Sequence, residues 1–502
     1  MKAHIAYIFL FLIIGCTQKT EIIENDDPPV TSTSERTFYM GYTTWDFGYG
    51  NRNSGENSQT FIYDKVKDGY YADIGALHYL NGLPWGVGNN TYYKPEDLDS
   101  FNAYSSYFNG TSTVDTKAFL RDRIVATAPL KVIYLAIDAL NTTRNALTYK
   151  YGTGDTSYTP TGGSDGDFHI DEIHYSYANY AVYALWLIYD YYTAQGYDLP
   201  KVYFNYGSEA SDLSIATNGG SQTRWNNFET FAKRFVTYMR SYTHGSNAGF
   251  TSFVRTLEYM FSIVLRSPGS TAMTTLTNYI ADSDNSMTAE DITDYMDLMG
   301  VSTYGYLFYD DQWGGSVTGA STVGNDKLVT DTKRGNPGEL PNNWLSQVQT
   351  IAPGMRYGIT ETGWIGEDVL RPAMLAMDGD SLVNDDYLVT SNETYQNDYV
   401  RMTLEESQSM NFEFIIFFAL VDYEISSDYF DNNPPYPADA AKSQLFINTF
   451  DAWLKTGFYK PKSTLDTYNE YLNYSGDLET QIEPRPAWDT WKNWYSRERS
   501  NE

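Results

Sequence analysis

Short apolar runs rich in Val, Ile, Leu, Tyr and Phe recur along the body of the chain, separated by segments whose apolar residues fall at helical spacing. This alternation predicts parallel strands joined by helical crossovers, hence an α/β fold, and the number of runs fits a (β/α)8 TIM barrel with elaborated loops. Strands are predicted near Phe38 to Thr43, Asp73 to His78, Val132 to Ile137, Val202 to Asn205, Leu298 to Tyr304, Tyr357 to Thr360 and Phe414 to Leu420. The fifth strand falls between Phe250 and Ser267, where Leu257-Glu258-Tyr259 and Ile263-Val264-Leu265 compete. Helices are predicted over Ile170 to Thr193, Arg224 to Tyr242, Tyr395 to Ser409 and Pro486 to Tyr495, with Asn392 as a cap ahead of Thr394-Tyr395-Gln396.

Two of the runs end in a glutamate beside Gly, Ser or Thr: Val202-Tyr203-Phe204-Asn205-Tyr206-Gly207-Ser208-Glu209 and Tyr357-Gly358-Ile359-Thr360-Glu361-Thr362-Gly363-Trp364. Reactive groups of such barrels sit on loops after the C-terminal strand ends, where both glutamates fall. Most of the 64 Asp and Glu residues are solvated surface charge. These two follow runs that read as interior strands, where an uncompensated carboxylate is costly. A carboxylate pair on separate strands suits glycosidic hydrolysis: one group protonates the leaving oxygen, and the other stabilises or traps the oxocarbenium-like carbon. Unlike environments keep the first protonated near neutral pH and the second ionised.

At 502 residues, 42% hydrophobic and 16% aromatic, the chain can bury one large barrel or two domains, and no internal repeat is evident. Its 46 Tyr and 11 Trp exceed what a barrel interior needs. Such rings line sugar clefts, and they also half-bury on helices. A formal net charge of −30 argues against nucleic acid as a partner and disfavours sulfated or uronate-rich polymers. Charge of this size also keeps an extracellular protein from associating, and a monomer is expected.

Residues 1–16 read as a signal peptide. Lys2 supplies the positive start, Ile5 to Ile14 form an apolar region too short to span a bilayer, and Leu12-Ile13-Ile14-Gly15-Cys16 closes it. That string resembles the lipobox of bacterial lipoproteins, which implies lipidation at Cys16 and an outer-membrane location, at the cell surface or on the periplasmic face. A plainly cleaved signal peptide is the alternative. Cys16 is the single cysteine, which excludes intramolecular disulfides and thiolate metal clusters. Residues 17–36 are polar and hold Glu24-Asn25-Asp26-Asp27 and Pro28-Pro29, as a flexible tether would. Residues 37–497 are then the catalytic barrel.

Three motifs together resemble clan A glycoside hydrolases: Tyr206-Gly207-Ser208-Glu209, Gly300-Val301-Ser302-Thr303-Tyr304 and Ile359-Thr360-Glu361-Thr362-Gly363-Trp364. Within that clan the chain is most similar to family 53 endo-β-1,4-galactanases and their relatives. The likeness runs from roughly Met40 to Trp494 and includes Pro486-Ala487-Trp488-Asp489-Thr490-Trp491. It implies retaining double displacement on internal β-linkages of a β-galactan or β-glucan class polysaccharide. Glu209 is then the acid/base, Glu361 the nucleophile and Tyr304 the hydrogen-bond donor to the nucleophile, with no metal or organic cofactor.

The chain departs from that pattern in two places. Clan A enzymes usually carry Asn before the acid/base, contacting the substrate 2-hydroxyl, whereas here the position is Ser208. Either Asn205 takes the contact or the site is weakened or repurposed. At the second strand His78 stands where relatives often have a basic residue, ahead of Trp85. His78 is a candidate for binding a sugar hydroxyl. Further strand-end candidates for the cleft are Trp45, Asp46, Asp138, Trp364 and Asp422. Asp165-Gly166-Asp167 with Asp171-Glu172, and Asp282-Ser283-Asp284, hint at calcium loops without the spacing of a calcium hand. Glu258 and Glu405-Glu406 are runner-up carboxylates. The rival reading is a surface glycan-binding lipoprotein that keeps the barrel without turnover, and a carbohydrate lyase lacks the positive residue needed to neutralise a uronate.

Overall fold

Every predicted strand region forms a strand, and the strands pair in parallel. They are β1 (Tyr39–Tyr42), β2 (Ile74–Leu77), β3 (Val132–Ala136), β4 (Lys201–Asn205), β5 in two pieces (Glu258–Met260 and Ser262–Val264), β6 (Leu298–Thr303), β7 (Arg356–Thr362) and β8 (Phe414–Phe417). The computed structural model describes residues 35–43, 71–77, 104–105, 113–114, 124–125, 127–137, 171–214, 222–281, 291–308, 336–371, 387–389, 391–422, 455–462 and 482–500. The chain divides into two units, Met1–Glu35 and Arg36–Glu502, and the fold is that of the second.

One sheet has the order β2-β3-β4-β5 and the other β5-β6-β7-β8-β1, each holding one piece of β5. The sheets meet at two seams. At β5, the Tyr206 N–H donates to the Met260 carbonyl at 2.9 Å and the Gly300 N–H to the Phe261 carbonyl at 2.9 Å. Between β1 and β2, Thr43 bridges Ala76 in parallel and the Asp73 N–H donates to the Met40 carbonyl at 2.8 Å. The eight runs therefore follow one another once round, as a (β/α)8 TIM barrel. The two segments competing for the fifth strand are the two halves of that one strand.

Pleating explains the sequence pattern. Inward residues Ile74, Ala76, Val132, Tyr134, Tyr203, Met260, Leu298, Phe414 and Ile416 form a buried barrel interior. Their outward neighbours, among them Met40, Ile133, Phe204, Phe261, Val301 and Ile359, join a larger core shared with the helices. Strands buried on both faces read as continuous apolar runs, which is why they were legible. Inside the barrel the Phe414 ring occupies the place where a Cβ on Gly358 would stand.

The helices are α1 (Asp171–Gln195), α2 (Gln222–Ser241), α3 (Ala248–Arg255), α4 (Thr271–Ala281), α5 (Glu393–Met410) and α6 (Pro486–Tyr495). The Asn392 side chain caps α5 by accepting from the Tyr395 N–H at 2.9 Å. The unpredicted α3 and α4 are short, with only three buried apolar positions each, too few for a clear period. On α6, Trp488 and Trp491 pack at 5.3 and 5.1 Å from the Phe458 ring and close the outside of β1 and β8.

A ring of charges marks the N-terminal strand ends. Lys201 pairs with Glu258 at 3.1 Å, while Arg356 pairs with Glu258 at 2.9 Å and with Glu413 at 3.2 Å. The Tyr203 hydroxyl donates to Glu413 at 3.0 Å. Glu258, a runner-up carboxylate, is thereby occupied at the end of the barrel opposite the reactive one.

Candidate active site

Pleating puts Ser302 and Tyr304 on the inner face at the C-terminal end of β6, two residues apart. On β7 a strict period of two, starting from inward Gly358, would send Glu361 outward. A bulge prevents this: Ile359 stands opposite Val301 but Glu361 opposite Ser302, so two steps on β7 match one on β6. The extra residue reverses the phase of everything after it. Glu361 consequently turns inward, where the Tyr304 hydroxyl donates to its Oε1 at 2.5 Å. Thr362 faces outward, its Oγ1 donating to the Thr303 carbonyl at 2.9 Å.

Glu209 lies beyond the end of β4 in the left-handed region, with φ +53°. That conformation costs a side-chain-bearing residue roughly 1–2 kcal/mol, and it persists where the surroundings over-determine it, commonly at functional sites. The surroundings here are specific. The Glu209 N–H donates to Ser262 Oγ at 2.8 Å, and Ser302 Oγ donates to Glu209 Oε1 at 2.8 Å. Asn205 braces the same turn: its Nδ2 donates to the Tyr134 hydroxyl at 2.7 Å and to Ser262 Oγ at 3.1 Å, and its Oδ1 accepts from the Gly207 N–H at 2.9 Å.

Both glutamates are buried and both converge on β6, Glu209 under an aliphatic hydroxyl and Glu361 under a phenol. The phenol is the more acidic donor, so it favours the ionised carboxylate more strongly. Below them, burial holds the Tyr134 proton well above the ordinary phenol range; the Asn205 amide opposes this and the Glu361 charge adds to it. Tyr306 is held up in the same direction by burial, then by Tyr399 and Glu361. Both phenols stay neutral beside the carboxylate.

Three expectations need correction. Asn205, the last residue of β4, faces inward and is fully buried, with its amide and carbonyl engaged inside the barrel, where it braces the Glu209 turn. Trp364 is also fully buried. Past the end of β7 the chain turns toward α5, and the indole packs 4.6 Å from the Tyr399 ring and 5.4 Å from Tyr306. Asp422, 2% exposed, is claimed by Arg485, whose Nη1 and Nη2 donate to Oδ1 and Oδ2 at 2.7 and 2.6 Å. Ser208 is buried with its hydroxyl beside the Tyr134 phenol. Cys16, Trp45, Asp46, His78, Trp85, Asp138, Asp165 and Asp282-Ser283-Asp284 lie outside the described residues.

Ser262, Ser302 and Tyr134 complete the site without having been singled out. Counting back by two from Tyr304 would have found Ser302, while Ser262 was hidden by the uncertain fifth strand. Among the described residues no group of three His, Cys, Asp or Glu could hold a metal ion, and no helix is long and apolar enough to cross a membrane. A cavity of about 570 Å³ opens away from the glutamates, on the barrel flank between residues 338–346 and α5, lined by Trp344, Tyr399, Met402 and Glu406. Burial raises the Glu406 carboxyl, against the backbone N–H groups of Ser346 and Leu345. Glu405 faces solvent and pairs with Arg401 at 3.4 Å, so neither runner-up glutamate joins the pair.

The fold and site together define an eight-stranded α/β barrel with a carboxylate pair at the C-terminal ends of its strands. No family model matches the chain, and no curated protein matches it significantly. Among solved structures it is similar to a family 1 β-glucosidase from Thermotoga maritima, at 11% identity and TM-score 0.41, covering 92% of this chain and 96% of that one. An endo-laminarinase from Formosa Hel1_33_131 matches at 12% identity and TM-score 0.38, over 91% and 95%. A β-1,3-glucanosyltransferase from Rhizomucor miehei matches at 13% and TM-score 0.29, over 69% and 78%. None of these three is a family 53 galactanase. Likenesses this distant carry no chemical argument, which rests on the strand ends themselves.

Proposed function

We propose that this chain is a retaining, endo-acting glycoside hydrolase for a polysaccharide of the β-glucan or β-galactan class. The observation that carries the reading is the convergence of Glu209 and Glu361 on β6, each under a different hydroxyl donor. Glu361, held by Tyr304, attacks the anomeric carbon to form a glycosyl-enzyme, while Glu209 gives its proton to the departing oxygen. Glu209 then accepts a proton from the water that releases the sugar. The test is sugar release from β-glucans, β-galactans and β-mannans by the protein and by Glu209→Gln and Glu361→Gln. Short oligosaccharides that both substitutions abolish support the reading, and release surviving both sinks it.

One observation favours the rival reading of a glycan-binding barrel without turnover. Ser208 stands beside Tyr134 and Asn205 is saturated inside the barrel, so neither is disposed toward a substrate 2-hydroxyl. Affinity for one polymer without release would support that reading. We also propose that Cys16 carries a lipid and residues 17–36 form a tether at the outer membrane. Cys16→Ser should then move the protein from the membrane to the soluble fraction, and an unchanged distribution would refute the anchor.

A further inference from the structure

We infer that Ser302 is a positioning residue that holds the Glu209 carboxyl group in one place through both of its protonation states; this rests on the glycosidase reading above. In the first step the Glu209 O–H bond breaks, its proton goes to the glycosidic oxygen, and that oxygen leaves C1 as a Glu361 oxygen bonds to C1. In the second step a water oxygen bonds to C1, the Glu361–C1 bond breaks, and the water proton goes to Glu209. Glu209 is therefore a carboxylic acid in one half of the cycle and a carboxylate in the other.

The choice of partner decides whether such a group stays in place. A cation beside the group favours the anion and so opposes the protonated half of the cycle. A neutral hydroxyl donates to one oxygen of a carboxylate and equally to the carbonyl oxygen of a carboxylic acid, so it holds Oε1 in both states and leaves the proton on the other oxygen free for the glycosidic oxygen. Ser302 Oγ stands 2.8 Å from Glu209 Oε1. Its backbone is fixed, since the residue is buried within β6 and its carbonyl accepts from the Leu265 N–H at 2.9 Å. The backbone of Glu209 is held separately by Ser262, at 2.8 Å from the Glu209 nitrogen.

The contrast with Glu361 supports the assignment. The nucleophile needs a partner that favours its anion strongly, and Tyr304, just past the end of the same strand, supplies a phenol, the more acidic donor. The β6 strand end thus presents a weakly acidic hydroxyl to the group that cycles and a more acidic one to the group that must stay ionised.

The experiment compares kcat/KM on 2,4-dinitrophenyl and phenyl β-glycosides of the short gluco- or galacto-oligosaccharides that the protein releases from its polymer. The dinitrophenolate leaves without a proton, whereas phenolate departure needs one. Ser302→Ala should raise the dinitrophenyl-to-phenyl ratio of kcat/KM about 10–100-fold, within the range general acid catalysis supplies. Ser302→Cys, which keeps the shape and a weaker donor and acceptor, should fall between it and the parent, and it decides the matter if the alanine variant does not fold. In a Glu209→Gln background, Ser302→Ala should leave the ratio within about twofold, because Ser302 acts only through Glu209. Equal loss on both substrates, or an undiminished change in the Glu209→Gln background, overturns the inference. A ratio unmoved by Glu209→Gln alone would instead remove the acid/base assignment itself.

Discussion

Asp422→Asn separates a substrate-binding residue from a structural one. Asp422 and Arg485 are 2% and 1% exposed and meet through two parallel contacts of 2.7 and 2.6 Å, and the Gly457 N–H adds a third at 2.8 Å to Asp422 Oδ1. Replacing Asp by Asn keeps the shape and one acceptor oxygen but removes the charge, so Arg485 is left with that oxygen, the Gly457 carbonyl at 2.7 Å, Glu393 at 4.0 Å and the more distant charge of Glu367. Breaking a buried pair from one side costs about 3–5 kcal/mol, chiefly because a cation is stranded away from water. Glu393 is a third exposed and sits at the limit of contact, which places the expected loss in the lower half, about 3–4 kcal/mol. Unfolding entropy near 2.1 cal/mol/K per residue over the roughly 470 residues of Arg36–Glu502 comes to about 1 kcal/mol/K. The expected fall in Tm is therefore about 3–4 °C, read by near-ultraviolet circular dichroism or calorimetry. Activity per folded molecule should stay within about twofold of the parent, since the carboxylate faces Arg485 and not the inner face. Adding Arg485→Met should recover part of the loss, because no charge is then left stranded. An unchanged Tm together with a KM raised tenfold or more would show that Asp422 contacts the sugar and would refute this account.

Tyr304→Phe should lower kcat/KM about 10–100-fold with the Tm nearly unchanged, the equivalent of about 1.5–3 kcal/mol for a hydrogen bond to a charged group; loss below threefold would remove Tyr304 from the site. Gly358→Ala drives a methyl group into the Phe414 ring and should cost about 1–3 kcal/mol in urea unfolding, partly restored by Phe414→Leu; an unshifted midpoint would contradict the interior packing. At high pH, burial keeps the phenols of Tyr134, Tyr203, Tyr206 and Tyr259 above the ordinary value of 10.0. Their contribution to stability is complete below pH 10 and is lost as pH rises above it, because only the unfolded chain ionises there. Each should remove about 1.4 kcal/mol per pH unit, giving a steep unfolding above that point. Phenolate absorbance reaching the full tyrosine count before circular dichroism changes would contradict this.

The strands were legible for a physical reason: buried on both faces, they could not hide among surface segments. Residues still within the hydrogen-bonded ladder were legible with them, because pleating dictates which way each side chain points. Ser302 follows that rule directly. Glu361 follows it only through the bulge at Thr360, which has no clear mark in Ile359-Thr360-Glu361, so its inward aim came from the motif and not from the period. Beyond the last paired residue the rule lapses. Trp364 and Asp422 both stand past strand ends, and both turn away from the inner face, toward α5 and toward Arg485. Strand-end position alone therefore marks where a cleft can be built and leaves open which side chains enter it.

Glu209 is the informative exception, since it too lies past its strand end yet returns to the site. Nothing in Tyr206-Gly207-Ser208-Glu209 announces a left-handed glutamate, and the two serines that hold it come from other strands, Ser262 on β5 and Ser302 on β6. The aim of this carboxyl group is thus a tertiary property, encoded far from the motif that carries it. The same geometry divides the work at the site: β4 and β7 supply the carboxylates, while β6, lying between β5 and β7 in the sheet, supplies the hydroxyl that holds each one. Ser302→Ala should consequently disturb Glu209 and Tyr304→Phe should disturb Glu361, each without the other.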